Sequence, residues 1–222
     1  MFLFISLFAS CIYPRSIILS SFLLIISTQP PTVPDVNPLN NLVTALDMDM
    51  ITGSGKSYGI LFDIETTTSV VIAGMELVLS AISPTYYEIW SKEGSWQDVN
   101  VDEPNYFEGF RRVSRGSIDG QGASEFSYIP LHEFHDIEIQ GGGQHAFWIT
   151  LSDDHLAFVN YDDEERSISR HEMQSDVQVS SAELNVMYGA AVRAYSLELA
   201  DPETDFHYNA GFLGRVWYRT LL

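Results

Sequence analysis

From residue 58 to the C-terminus, apolar and polar side chains alternate along one short run after another. A period of two belongs to extended chain, whose successive side chains point to opposite faces. A helix would need apolar positions three and four apart. In YGILFDIE (58–65), Ile60, Phe62 and Ile64 fall on one face, with Asp63 and Glu65 on the other. In VVIAGMELVLS (70–80), the same count groups Val71, Met75, Leu77 and Leu79 opposite Gly74, Glu76 and Ser80. Further alternating runs cover 86–92, 111–117, 134–139, 144–151, 184–188, 194–199 and 215–220, with Gly, Pro, Ser and Asp between them. The GSGK of 53–56 and the GGGQ of 141–144 are turn chemistry. No window carries an apolar 3.6-residue stripe long enough for a long helix, and there is no internal repeat. This pattern specifies an all-β fold: a single antiparallel β-sandwich domain, jelly-roll-like in its many short strands.

The alternation does not reach the N-terminus. Residues 1–28 are apolar apart from a Pro14-Arg15 break, and Arg15 precedes the run Ile17 to Ile26 and then Ser27 and Thr28. One basic residue, an apolar stretch and small residues follow the order of a signal peptide, so 1–28 is expected to be a signal peptide or an uncleaved signal-anchor. Neither apolar run reaches about 18 residues, which disfavours a single spanning helix. Residues 29–41 (QPPTVPDVNPLNN) hold four prolines, which block both helix and ladder and leave an extended linker. The sandwich is expected over 42–222, secreted or held at the cell surface, touching a membrane only through the leader if that stays uncleaved.

Charge narrows the partners. The chain has 30 acidic and 11 basic residues, a formal net charge of −19. Phosphate backbones repel such a polyanion, so nucleic acid is not an expected partner. The excess acid also keeps a secreted domain soluble. The single cysteine, Cys11, lies in the leader, which leaves the folded part without a disulfide, a thiolate metal site or a cysteine nucleophile. No Asn-x-Ser/Thr sequon occurs.

Several chemical motifs fail on inspection. TGSGKS (52–57) lacks the first glycine of a phosphate loop, since position 50 is Met50, and it leads into strand rather than helix. HEFHD (132–136) misses the zinc-protease spacing because Asp136 stands where the second histidine belongs. There is no Gly-x-Ser-x-Gly elbow. His145 and His155 have no serine or acid singled out as a partner. Nothing in the sequence marks an enzyme, although 30 acids offer many carboxylate pairs of the kind glycosidases use.

The order YGILFDIE, VVIAGMEL, YYEIWSKEGSW, GGGQHAFWITL and FLGRVWY resembles a recurrent extracellular β-domain found in predicted secreted proteins of diatoms and related microalgae. In that family an FDI-type strand is followed by V-x-I-x-G, Y-x-K-x-G and AFYVTL-type strands. The match runs from about Tyr58 to Tyr218. The resemblance implies a secreted sandwich with no assigned activity and no catalytic residues to carry over. The acidic insertion after Phe158 departs from the pattern.

Two sets of residues are candidates for binding. Trp90 alternates with Glu88 and Lys92, Trp148 with Ala146 and Thr150, and Trp217 with Arg215 and Arg219. Each tryptophan thus sits on the face that its neighbours mark as polar. If bare, the rings form a platform for sugar rings or a protein, with Arg215 and Arg219 beside Trp217 for cation–π or carboxylate contacts. If covered by loops or arginine stems, they are packing residues. The second set is acidic. Asp153, Asp154, Asp162 and Asp163 bracket LAFVNY, and sandwich-edge loops of this kind supply oxygens to calcium, the one cofactor to be considered. The expectation is a non-catalytic binding or structural module, taking a polysaccharide or an extracellular protein through exposed aromatics. The alternative is a secreted polysaccharide hydrolase working through an acidic pair.

Overall fold

YGILFDIE supplies an interior strand of the sandwich, with its β-branched and aromatic residues Ile60, Phe62 and Ile64 on one face. The computed structural model describes residues 44–47, 55–98, 107–160, 176–195, 200 and 204–221. The leader, the proline-rich segment, the first half of GSGK, and Asp162 with Asp163 lie outside the described residues. The strands are β1 (Thr44–Asp47), β2 (Gly55–Ser57), β3 (Gly59–Thr66), β4 (Val70–Val78), β5 (Pro84–Glu93), β6 (Arg111–Asp119), β7 (Phe126–Tyr128) and β8 (Ile137–Ile139). They continue with β9 (Gln144–Leu151), β10 (Leu156–Asn160), β11 (Val177–Ser180), β12 (Leu184–Met187), β13 (Gly189–Val192), β14 (Phe206–Phe212) and β15 (Gly214–Thr220). Among the described residues, the helical content is two short 3-10 turns, Trp96–Asp98 and Leu131–Glu133.

The strands form two sheets, and every pairing is antiparallel. The smaller runs β1-β15-β4-β7, with β8 also on β4. The larger runs β2-β10-β14-β13-β3-β9-β5-β6, with β12 on β3 and β11 on β12. All belong to one compact unit, Asn41–Leu222. The fold is a β-sandwich. Its core holds Ile60, Phe62 and Ile64 of β3 against Met75 and Leu77 of β4, and Phe62 stacks on Phe147 at 5.7 Å and on Phe212 at 4.7 Å.

Strand β4 interrupts its own period. Trp217 pairs with Gly74, but the next residue, Tyr218, pairs with Ile72, leaving Ala73 as an extra residue. This bulge shifts the phase of the strand. Val70 and Ile72 therefore join Met75, Leu77 and Leu79 in the core, while Val71, expected beside Met75, is buried outside that cluster. A register shift between Gly189 and Ala190, and Asn209 at φ 61°, interrupt β13 and β14 in the same way. Those two strands show no clean alternation in the sequence. The run expected over 194–199 begins instead with a bend at Ala194 and Tyr195.

A second apolar cluster lies on the outer face of the larger sheet. Leu61, Ala146, Trp148, Ala190, Val192 and Phe206 project from the strands, and Trp96 and Ala200 pack onto them. The sheet is therefore apolar on both faces here, the inner one closed by the smaller sheet and the outer one by connecting segments.

Candidate functional site

The three tryptophans do not form one surface. Trp148 is 6% exposed, beneath Trp96 and the other rings of the second cluster. Its neighbours Ala146 and Thr150 look polar or small in the sequence because they leave room for the indole. The Thr150 hydroxyl also donates to the Tyr195 carbonyl at 2.6 Å, which ties a covering segment down. Trp90 is half-buried, stacked on Trp148 at 5.8 Å, with the Arg112 guanidinium 5.6 Å from its ring centre. Trp217 is half-buried on the other sheet, so it cannot extend that face. The expected bare platform is covered at Trp148 and divided between two sheets.

The arginines beside Trp217 are engaged within the chain. Arg215 forks onto Asp47 of β1, Nη2 to Oδ2 at 3.1 Å, and its Nη1 donates to Glu76 at 2.8 Å. Its guanidinium also lies 5.4 Å from the Trp217 ring and 4.5 Å from that of Phe126. Burial lifts the Glu76 carboxyl above its usual range, and the Arg215 charge pulls it back. Arg219 pairs with Asp136. These contacts hold β1 to β15 and β15 to β4, and they leave neither arginine waiting for a ligand.

Of the acidic candidates, Asp153 accepts hydrogen bonds from the hydroxyls of Thr85, at 2.9 Å, and Ser152, at 3.0 Å. Those donors hold its carboxyl below the usual range. Asp154 lies 3.7 Å from His155 Nδ1. Among the described residues, no group of three or more His, Cys, Asp or Glu side chains is placed to hold a metal ion.

Asp63 carries no mark in the sequence beyond its place on the polar face of β3. It is 3% exposed there, and it accepts from Ser95 Oγ at 2.5 Å, Trp96 N–H at 3.0 Å and Gln144 Nε2 at 3.0 Å. Burial still pushes its carboxyl up to about 6. The donors from Ser95 and Trp96 fasten the turn that lays Trp96, 2% exposed, over the second cluster, and Gln144 adds a bond from β9. Asp63 is thus an anchor for the cover and not an open acid.

The open site is elsewhere, at the end of the larger sheet where β2, β10, β14 and β13 lie side by side. A pocket of about 190 Å³ is bounded there by Lys56 and Ser57 of β2, Phe158 and Asn160 of β10, Ala191 of β13, His207 of β14, and Arg193 just past β13. Phe158 and Ala191 belong to the main core, so the pocket opens at the core's margin, on the face turned toward the smaller sheet. Pairing sets the walls: Ala191 opposes His207 across β13 and β14, so both face the pocket, whereas Lys56 opposes Ala157, leaves β2 on the side away from Phe158, and borders the pocket from its rim. Gly55 opposes Phe158, and a Cβ there would stand 2.2 Å from the ring, so the glycine is what lets the phenyl lie across the strand. His207 tilts against Phe158 at 5.7 Å and shares a 2.9 Å hydrogen bond with Asn160 Oδ1. Because that oxygen accepts, His207 Nε2 carries the proton. Burial, and then the nearby Arg193 charge, hold the imidazole below its usual range.

Among the described residues, the charged side chains that border this pocket are both cationic, in a molecule of net charge −19. Ion pairs of the described residues engage Arg112, Arg215 and Arg219, while Lys56, Lys92, Arg111, Arg115 and Arg193 are in none; of these five, Lys56 and Arg193 are the two that border the pocket. Both side chains are exposed, and no carboxylate among the described residues lines the pocket. Arg193 is placed by its backbone N–H, which donates to the Asp205 carbonyl at 2.8 Å, so its guanidinium takes no part in holding the strand. Lys56 and Arg193 do not stand out in the sequence, because they are 137 positions apart and neither sits in a charged run.

No family model and no curated protein matches the chain. One solved structure that it resembles is a clostridial cysteine protease after propeptide cleavage, with TM-score 0.39 and 11% identity over 83% of this chain. The chain spans 42% of that protein's length. A likeness at that score carries no argument about activity.

Proposed function

We propose that the protein is a secreted or surface-anchored, non-catalytic binding module that engages an extracellular polysaccharide or protein at the pocket between β2, β10, β13 and β14. The observation that carries this reading is Arg193, exposed and in no ion pair among the described residues, at a pocket that Lys56 borders from the rim, in a molecule with net charge −19. What supports a ligand there is the gathering of two cations at one concave site, not their lack of ion pairs alone, which Lys92, Arg111 and Arg115 share. The secretory part of the reading rests on the order of residues 1–28 and on the resemblance to secreted algal β-domains. The hydrolase alternative needs two facing carboxylates, and the described residues of the pocket include none.

The test is a panel of soluble extracellular polysaccharides and matrix proteins presented to the purified protein, with an Arg193→Gln, Lys56→Gln double variant alongside. Binding that the double variant loses supports the module. Binding by neither protein to any member, or release of reducing sugar from a polysaccharide, sinks it. A fluorescent fusion to residues 1–35 checks the route separately, and a cytosolic signal would contradict secretion.

A further inference from the structure

The chemistry of the pocket walls goes further than the existence of a site. We infer that this pocket is a subsite for a single oxyanion, a carboxylate or a sulfate ester, carried on an otherwise neutral sugar, a reading that rests on the binding-module function proposed above. Three observations converge. Arg193 and Lys56 offer donors of positive charge, and a guanidinium fork matches the paired oxygens of a carboxylate or sulfate. Phe158, held flat across Gly55, gives an apolar wall, and the C–H face of a pyranose suits it. The volume of about 190 Å³ is below the roughly 300–1,000 Å³ of a pocket for a whole drug-sized ligand, and suits one ring with its charged group.

The charge of the whole molecule sets the limit on the ligand. With a net charge of −19, the protein repels a polyanion along most of its surface, so dense charge on a glycan lowers its approach rate and its affinity. Isolated negative charge, by contrast, meets the two cations at short range, where attraction outweighs the screened distant field. The ligand that fits is therefore sparsely charged. Arg193 carries the main contact, Lys56 adds charge from the rim, and His207 is a positioning residue, fixed by Asn160 and packed on Phe158.

The experiment is an amide chemical-shift titration of the purified full chain with three probes: glucuronate, glucose 6-sulfate and methyl glucoside. Saturable shifts confined to 55–57, 158–160, 191–193 and 207 are expected with the first two probes and not with the third. The carboxylate and sulfate arms then rank the two sources of the oxyanion. Arg193→Gln should weaken the charged probes about tenfold, the loss of one charge-assisted contact, and Lys56→Gln about threefold. Both residues are exposed, so each variant should fold, and an unchanged spectrum away from the pocket checks that. Equal binding of methyl glucoside would overturn the oxyanion while leaving the module standing. Shifts elsewhere, or charged probes that bind Arg193→Gln as they bind the parent, would overturn it too. No shift with any probe overturns it likewise, and the polysaccharide panel then decides the module by itself. A densely sulfated glycan that binds more tightly than glucose 6-sulfate would refute the limit set by net charge.

Discussion

Replacing Asp63 with Asn should flatten one part of the pH–stability profile and leave the fold intact. The carboxyl is 3% exposed, and burial raises it from 3.8 to about 6 despite the donors that favour its ionised form. A tenfold change in proton affinity is worth about 1.4 kcal/mol, so the protonated and ionised folded states differ by about 3 kcal/mol relative to the unfolded chain. The folded pKa is raised, so the folded state holds a proton that the unfolded state has already released between pH 3.8 and about 6. Stability from this group is complete below pH 3.8, falls as pH rises through that window, and is level above it. The Asn amide carries no charge at any pH; its oxygen still accepts from Trp96 N–H, and its NH2 can turn to Ser95 Oγ. Urea unfolding of both proteins at pH 4, 5, 6 and 7, followed by tryptophan fluorescence, reads the difference directly. The stability of the parent minus that of Asp63→Asn should drop by up to about 3 kcal/mol from pH 4 to pH 7, most of it below pH 6. A difference constant to within about 0.5 kcal/mol would refute the assignment, since surface carboxylates contribute equally to both proteins and cancel.

The tryptophans separate by burial. Trp148→Ala should cost about 3–5 kcal/mol in urea unfolding, as for a large core ring, whereas Trp217→Ala and Trp90→Ala should each cost about 1–2 kcal/mol. A small loss at Trp148 would mean that the outer face is not covered. Arg215→Ala leaves Glu76, 8% exposed, without its guanidinium and should cost about 3 kcal/mol at pH 7, an effect that a second change, Glu76→Gln, recovers in part. No recovery in the double variant would show that packing on Phe126 and Trp217, and not charge, is what Arg215 supplies.

The alternation of side chains was enough to determine the all-β class, the antiparallel sandwich and the core face of β3, because the strand period is a property of the chain itself. Ile60, Phe62 and Ile64 all reached the core. Three things were decided only by the tertiary structure. The bulge at Ala73 reversed the phase of β4, and no local count shows which partner strand will skip a residue. The covering of Trp148 depended on segments far along the chain, with Trp96 fastened by Asp63 and Tyr195 by Thr150. A polar neighbour marks a face as open only until something packs on it. The pocket was illegible for the same reason: Lys56, Phe158, Arg193 and His207 come from separate strands, and only the pairing of β2, β10, β14 and β13 brings them together. Periodicity is encoded within each strand, but a site made across strands exists only once their order and register are set.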